Sequence, residues 1–283
     1  MSKVPVWWKV TVQAAPGDRE LLDLLLAENG AGGVIEQGEA RVAYFAPEAQ
    51  AGVEEVLTTF AADREQTPTW HWEREEGEPW RDAWKEHFRP ALLSPRLAVC
   101  PSWCEPPEYA AGVEVLRLDP GRAFGTGTHE TTRLCLGLLD RRLAAMPVQS
   151  CLDVGCGSGI LSVAVARLGV PRVVALDIDP QAAAATRENA ARNGVENRVA
   201  VLCGDLRAVA GSFPLVVANI LYQILLGLAP ILTARVAPGG VLVLSGLLEA
   251  ELGSAARVYG VQGLTELARK VDGEWGALLL HRP

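Results

Sequence analysis

The chain has 283 residues, 49% of them hydrophobic, with a formal net charge of -8 and a pI near 5.2. That length holds one large domain and one small one, and the apolar content excludes a disordered chain. The acidic balance excludes a dedicated basic nucleic-acid surface; it suits plain solubility or a basic partner.

The first 75 residues alternate simple elements. VWWKVTVQ (6–13) places Val6, Trp8, Val10 and Val12 on one face, as a half-buried strand does. Asp18 is positioned to cap a helix through LLDLLLAEN that stops at Gly30. VIEQ and ARVAYF flank Gly38, a short hairpin signal. Val53, Val56, Leu57, Phe60 and Ala61 follow a helical period and predict a second amphipathic helix. TPTWHWERE closes as a strand with Trp70 and Trp72 on one face. The order βαββαβ is that of a small ferredoxin-like α+β domain, expected over 1–75. Its strand tryptophans (Trp7, Trp8, Trp70 and Trp72) are core residues, or partner contacts wherever alternation turns one outward.

Composition then changes abruptly. EREEGEPWRDAWKEHFRP (73–90) is charged, with Trp80, Trp84, His87 and Phe88 at helical spacing, and predicts a Trp-rich helical linker over 76–95. From 96 to 283 strands and helices alternate, which implies a mainly parallel sheet. SCLDVG, RVVALDI, VAVLCGD, LVVANIL and GVLVLSG supply its strands. LTELARKV and WGALLLHR, joined at Asp272 and Gly273, add an antiparallel pair. A dehydrogenase Rossmann sheet is parallel throughout. The expected fold is therefore α/β, a Rossmann-like seven-stranded methyltransferase domain with an antiparallel last strand.

LVVANILYQILLGLAPIL (215–232) approaches membrane-spanning length but carries Asn219, Gln223, Gly227 and Pro230. It reads as a buried strand, a loop and a core helix. MSKVPVWWKV has no secretory leader, and the six cysteines lie in apolar or glycine-rich contexts, as reduced thiols of a cytoplasmic protein do. Cys100 and Cys104 stand apart from other ligand pairs, so no metal is expected.

LDVGCGSG (152–159) carries Gly155, Gly157 and Gly159 behind an apolar run. Glycines there let the turn pass tightly and bring backbone N–H groups close to a ligand. The following ILSVAVARLG has no Lys or Arg in its first turn, and the missing Gly-Lys-Ser/Thr excludes a P-loop. Alone, GxGxG is also compatible with a purely structural turn. Asp177 ends the next strand, where a carboxylate can accept both hydroxyls of an adenosine ribose. Asp179 precedes Pro180 and a helical run, so it reads as an N-cap. Asp205 in CGDL is placed either for an adenine amino group or to cap its own loop.

Together these features resemble the S-adenosylmethionine-dependent methyltransferases of the Rossmann-like class, with DVGCGSG as first motif and LDIDP as second. Two further stretches narrow the choice. LDPGRAFGTGTHETTRLCL (118–136) is a second glycine-rich loop, either closing over the ligand or a flexible turn capped by Thr131 or Thr132. Asn219 ends the fourth strand, facing the transferable methyl, unless it is a mere turn residue. Ile220 and Leu221 follow it, not the Pro-Pro-Tyr/Phe of enzymes that methylate nucleic-acid or glutamine amino groups.

DPGRAFGTGTHETT, LDVGCGSGILS, ALDIDP and VANIL in combination resemble the ribosomal protein uL11 methyltransferase family, PrmA. The small α/β domain and Trp-rich bridge extend the likeness across the chain. The resemblance implies that the first domain recognises uL11 and the second trimethylates its N-terminal α-amine and lysine ε-amines. S-adenosylmethionine is the implied cofactor, and a monomer without nucleic-acid or membrane contacts is expected. Carried over by position, Thr132, Gly155, Asp177 and Asn219 bind the cofactor, with Phe124, Gly125, Thr126 and Gly127 in the loop. Gly157 and Asp205 complete the expected set, and Asn219 is also the expected catalytic residue, accepting an amine N–H. No strong general base stands out. A methyltransferase of another protein or small molecule is the rival enzyme. A non-catalytic adenosine-ligand module is the rival of another class, against which the intact glycine loop, Asp177 and Asn219 argue.

Overall fold

Alternation in VWWKVTVQ produces β1 (Val6–Gln13), which buries Val10 and Val12 completely. The computed structural model describes residues 6–31, 34–62, 64, 66–76, 89–118 and 129–283. The chain divides into two units, residues 1–87 and 88–283.

In the first unit β1 is followed by α1 (Arg19–Glu28), β2 (Val34–Gln37), β3 (Ala40–Phe45), α2 (Gln50–Ala62) and β4 (Thr69–Glu76). The sheet is antiparallel in the order β2-β3-β1-β4, the ferredoxin-like arrangement. Leu22 and Leu26 of α1 and Val53, Leu57 and Phe60 of α2 pack on Val10, Val12 and Phe45. Trp70 and Trp72 are half-buried, and both indoles donate to Glu54 Oε2, at 2.9 and 2.6 Å. Trp72 also meets Trp8 and Phe45 edge to face, so these three rings serve internal packing. Asp18 does not cap α1 with its side chain. A 3-10 turn over Pro16–Asp18 already starts the spiral, and the carboxylate lies 3.3 Å from Arg64 Nη1.

The second unit opens with β5 (Ala91–Ser94), β6 (Leu97–Cys100) and β7 (Glu114–Arg117), a three-stranded sheet that was not expected from the sequence. The expected helical linker therefore does not reach residue 95. Pro95 and Arg96 form a turn between two apolar runs, and proline fits a hairpin turn better than a helix. Trp80, Trp84, His87 and Phe88 of that linker lie outside the described residues. Next come α3 (Glu130–Ala145), β8 (Cys151–Val154), α4 (Ile160–Arg167), β9 (Val173–Asp177) and α5 (Pro180–Arg192). After β10 (Val199–Cys203) follow β11 (Phe213–Asn219), α6 (Tyr222–Arg235), β12 (Val236–Leu248), α7 (Leu252–Val261), β13 (Thr265–Asp272) and β14 (Trp275–His281). Arg96 Nε donates to the buried Asp140 of α3 at 2.6 Å, tying the small sheet to that helix.

The large sheet runs β10-β9-β8-β11-β12-β14-β13. Its first five strands are parallel, and β14 is antiparallel to both neighbours. One apolar cluster includes residues of α3 and α4, the other residues of α6 and α7. The 215–232 stretch divides into most of β11, a short loop and most of α6; among the described residues no helix is long and apolar enough to cross a membrane. From β8 the chain moves outward to β9 and β10, then returns to β11 on the other side. The strand order reverses between β8 and β11, and in such sheets a ligand crevice opens there, beyond the carboxyl ends of the strands.

Candidate functional site

At that reversal lies the glycine loop. Gly155, Gly157 and Gly159 have φ of +73, +55 and +80°, which other residues rarely adopt. Gly155 answers a second demand: a Cβ there would overlap the Ile220 side chain. The loop is pinned from two sides. Gly155 and Cys156 donate their N–H groups to the Leu176 carbonyl at 2.8 and 3.0 Å. Thr186 and Asn189 of α5 donate to the carbonyls of Gly157 and Ser158, at 2.9 and 2.8 Å. Burial pushes the Cys156 thiol up to about 12, assisted by the Asp153 charge, so the loop cysteine is no nucleophile at neutral pH.

Asp177 stands beside this loop at the end of β9. Its Oδ2 accepts from Gly157 N–H at 2.9 Å and its Oδ1 from Asp179 N–H at 3.0 Å. Each oxygen keeps lone-pair capacity, and two backbone donors fix the carboxylate's direction. Asp179 caps α5 through Gln181 N–H, with Pro180 at the first position. Asp205 caps the turn Leu206–Ala208 by accepting from Arg207 N–H at 2.7 Å, and pairs with the Arg207 guanidinium at 2.8 Å. Of its two expected roles, loop capping is the one its contacts display.

Asn219 ends β11, one strand from the loop. Its Nδ2 lies 3.3 Å from Thr131 Oγ1, and its Oδ1 is buried with no hydrogen-bond partner among the described residues. α3 is capped by His129, whose ring accepts from Thr131 N–H, and not by Thr131 or Thr132. Thr132 is fully buried in the first turn of α3, and its Oγ1 likewise has no partner there. Phe124, Gly125, Thr126 and Gly127 lie outside the described residues.

Sequence reasoning passed over Asp153. It sits inside β8, fully buried; Ser162 donates to Oδ2 at 2.6 Å, and Oδ1 has no partner among the described residues. A carboxylate inside an otherwise apolar strand was the available signal, because such a group persists only with partners. Burial raises its pKa to about 6, opposed by the Ser162 bonds and reinforced by the charge of Asp177. Below the ordinary carboxylate pKa of 3.8 this group leaves stability untouched. As pH rises through the window to about 6, the unfolded chain ionises first, and stability is lost. That gap corresponds to about 3 kcal/mol at neutral pH. Asp153→Asn should gain about that much on wild type between pH 4 and pH 7, measured by denaturant unfolding without ligand. A stability difference independent of pH would disprove the assignment.

The chain as a whole is similar to known proteins. The family model described as ribosomal protein L11 methyltransferase (PrmA) matches residues 33–283. The chain belongs to the ribosomal protein L11 methyltransferase family. A family member from Pelobacter propionicus is 45% identical over 210 residues, covering 73% of this chain and 68% of that one. Another, from Sorangium cellulosum, is 43% identical over 251 residues, covering 86% and 79%. The crystal structure of the L11 methylase from Lactobacillus delbrueckii subsp. bulgaricus aligns with a TM-score of 0.64 at 35% identity. It covers 69% of this chain and 99% of that chain. The Rossmann-like methyltransferase fold expected from the sequence is thus the fold of this family.

Proposed function

We propose that this chain uses S-adenosylmethionine to trimethylate the N-terminal α-amine and lysine ε-amines of ribosomal protein L11 (uL11) in the cytoplasm. Its first unit would hold uL11, and the second would carry the chemistry. Family membership supports the substrate class. The observation that carries the chemistry is the buried, unpartnered Oδ1 of Asn219, beside the glycine loop at the strand-order reversal.

The residues fit the cofactor. Asp177, held by two backbone donors, suits a ribose diol, and Gly155 and Gly157 leave the backbone open to close approach. The unpartnered oxygens of Asp153 and Thr132 suit the ammonium group of an amino-acid moiety. The bound cofactor would supply a methyl group already activated on a sulfonium sulfur.

The protein's own task is alignment and selection of a neutral amine. At pH 7.5 an α-amine of pKa near 8 is roughly a third neutral, and a lysine near 10.4 only about 0.1%. Lysine must then lose its proton on entering a desolvated pocket. Asn219 Oδ1 would accept one N–H of the neutral amine and direct the nitrogen lone pair toward the methyl.

Incubation with labelled S-adenosylmethionine and purified uL11 tests the reading: label should appear at the α-amine and at lysines. Asn219→Ala should slow single-turnover transfer at saturating cofactor by about tenfold or more, and weaken cofactor binding less. If only binding weakens, Asn219 is a cofactor ligand without a role in orienting the amine.

A further inference from the structure

The direction of the Asn219 amide depends on a residue that the reading above does not use. His129 Nδ1 lies 2.8 Å from Thr131 Oγ1 and 3.3 Å from the Thr131 backbone nitrogen. A backbone N–H can only donate, so Nδ1 accepts and carries no proton; the neutral ring holds its hydrogen on Nε2. The Thr131 hydroxyl, at the shorter distance, donates into the same Nδ1 lone pair that the N–H approaches, and Oγ1 has only lone pairs left for Asn219. The Asn219 group facing it at 3.3 Å is therefore the NH2, and Oδ1 is turned away. Trp275 of β14 lies edge to face against the imidazole, 5.2 Å between centroids, and holds the ring in place.

We propose that neutral His129, acting through Thr131, holds the Asn219 amide with its oxygen toward the substrate amine, and that protonation of His129 reverses the chain. This rests on the role of Asn219 given above. With a proton on Nδ1 the imidazolium donates to Thr131 Oγ1. The threonine hydroxyl is then free to donate to Asn219, and only the amide oxygen can receive it. The amide turns over and presents NH2, a donor, where an amine N–H needs an acceptor. Thr131 N–H loses its acceptor in the same step.

Among the described residues, the charged groups near His129 are these. Glu130 Oε2 lies 3.9 Å from Nδ1. Glu130 pairs with Arg133 at 3.4 Å, and Arg133 pairs with Asp272 at the end of β13 at 2.7 Å. Trp275 of β14, Asn219 of β11 and Thr131 are uncharged. His129 acts through Thr131 and is a positioning residue.

The test uses the full-length protein in single turnovers on uL11 from pH 5.5 to 9. Deprotonation of the amine alone gives log rate a slope of one on its acid side. A second group that must be neutral raises the slope toward two at the acid end. Wild type should show that steeper limb. His129→Ala should lower the plateau about tenfold. His129→Asn, whose amide oxygen can accept from Thr131 without titrating, should recover most of that loss and keep unit slope throughout.

A second measurement needs neither cofactor nor turnover. In nitrogen-15 NMR spectra of the ligand-free protein, the Asn219 side-chain amide signals should titrate together with the His129 ring and stay fixed in His129→Asn. Unit slope in wild type, or an Asn219 amide indifferent to the imidazole titration, would overturn the proposal. A wild-type protein that transfers methyl to no amine would instead overturn the proposed function, and the NMR coupling would still decide the relay.

Discussion

Replacing Asp177 with alanine is expected to weaken S-adenosylmethionine binding by about ten- to a hundred-fold for each ribose hydrogen bond lost. A bond to a charged acceptor contributes roughly 1.5–3 kcal/mol, and 1.4 kcal/mol is about one decade of affinity. The structure adds a second consequence. The same carboxylate holds Gly157 N–H and Asp179 N–H, so alanine also frees the tip of the glycine loop. Asp177→Asn separates the two effects, because its amide oxygen can replace one acceptor while the charge is gone. Calorimetric titration should rank wild type above Asp177→Asn and Asp177→Ala last, with thermal melting showing both variants folded. Equal affinity in all three would remove Asp177 from the site.

The second large effect follows from the proposed division of labour. A truncated protein beginning at Arg89 keeps β5, the hairpin turn at Pro95 and the Arg96–Asp140 pair. Cutting at Leu97 would strip an edge strand from the small sheet and leave the buried Asp140 without its guanidinium, a damaging loss for a buried charge. The longer truncation retains the glycine loop, Asp153, Asp177 and Asn219, so its cofactor affinity should stay within about threefold of the full chain. Its kcat/KM on intact uL11 should fall by about a hundredfold or more, because tethered presentation of the substrate is lost. A short peptide amine, which gains nothing from the first unit, should be affected far less. Full activity of the truncation on intact uL11 would refute the recognition role.

Local chemistry made much of this molecule legible in the sequence. The ferredoxin-like order could be read because β1 and β4 alternate, α2 repeats with a helical period and Gly38 marks the hairpin; Val10, Val12, Val53, Leu57 and Phe60 are buried as that pattern demands. The antiparallel tail was readable from the short Asp272–Gly273 connection, although Asp272 stays in the ladder opposite Trp275 and the turn itself is Gly273–Glu274. Asp179 could be assigned to a cap because N-capping is decided within one helical turn. Asp18 shows the limit even there, since a preceding 3-10 turn satisfied the helix start and left the carboxylate to Arg64, 46 positions along the chain.

What needed the folded chain was convergence. Asp153 is one letter in an apolar run until β9 and β11 pair on either side of β8 and, among the described residues, Ser162 alone serves one of its oxygens. His129 and Thr131 are 90 and 88 residues from Asn219 in sequence, so no periodicity or motif spacing links them. The parallel sheet does, by carrying the end of β11 to the first turn of α3. Sequence alone determined most elements other than the small sheet β5–β7, the glycine loop and the acidic residue beside it, because those depend on propensity and near neighbours. The tertiary structure alone decided which polar atoms are buried without partners and which way an amide points, because burial and hydrogen-bond direction depend on groups the fold brings together from distant positions.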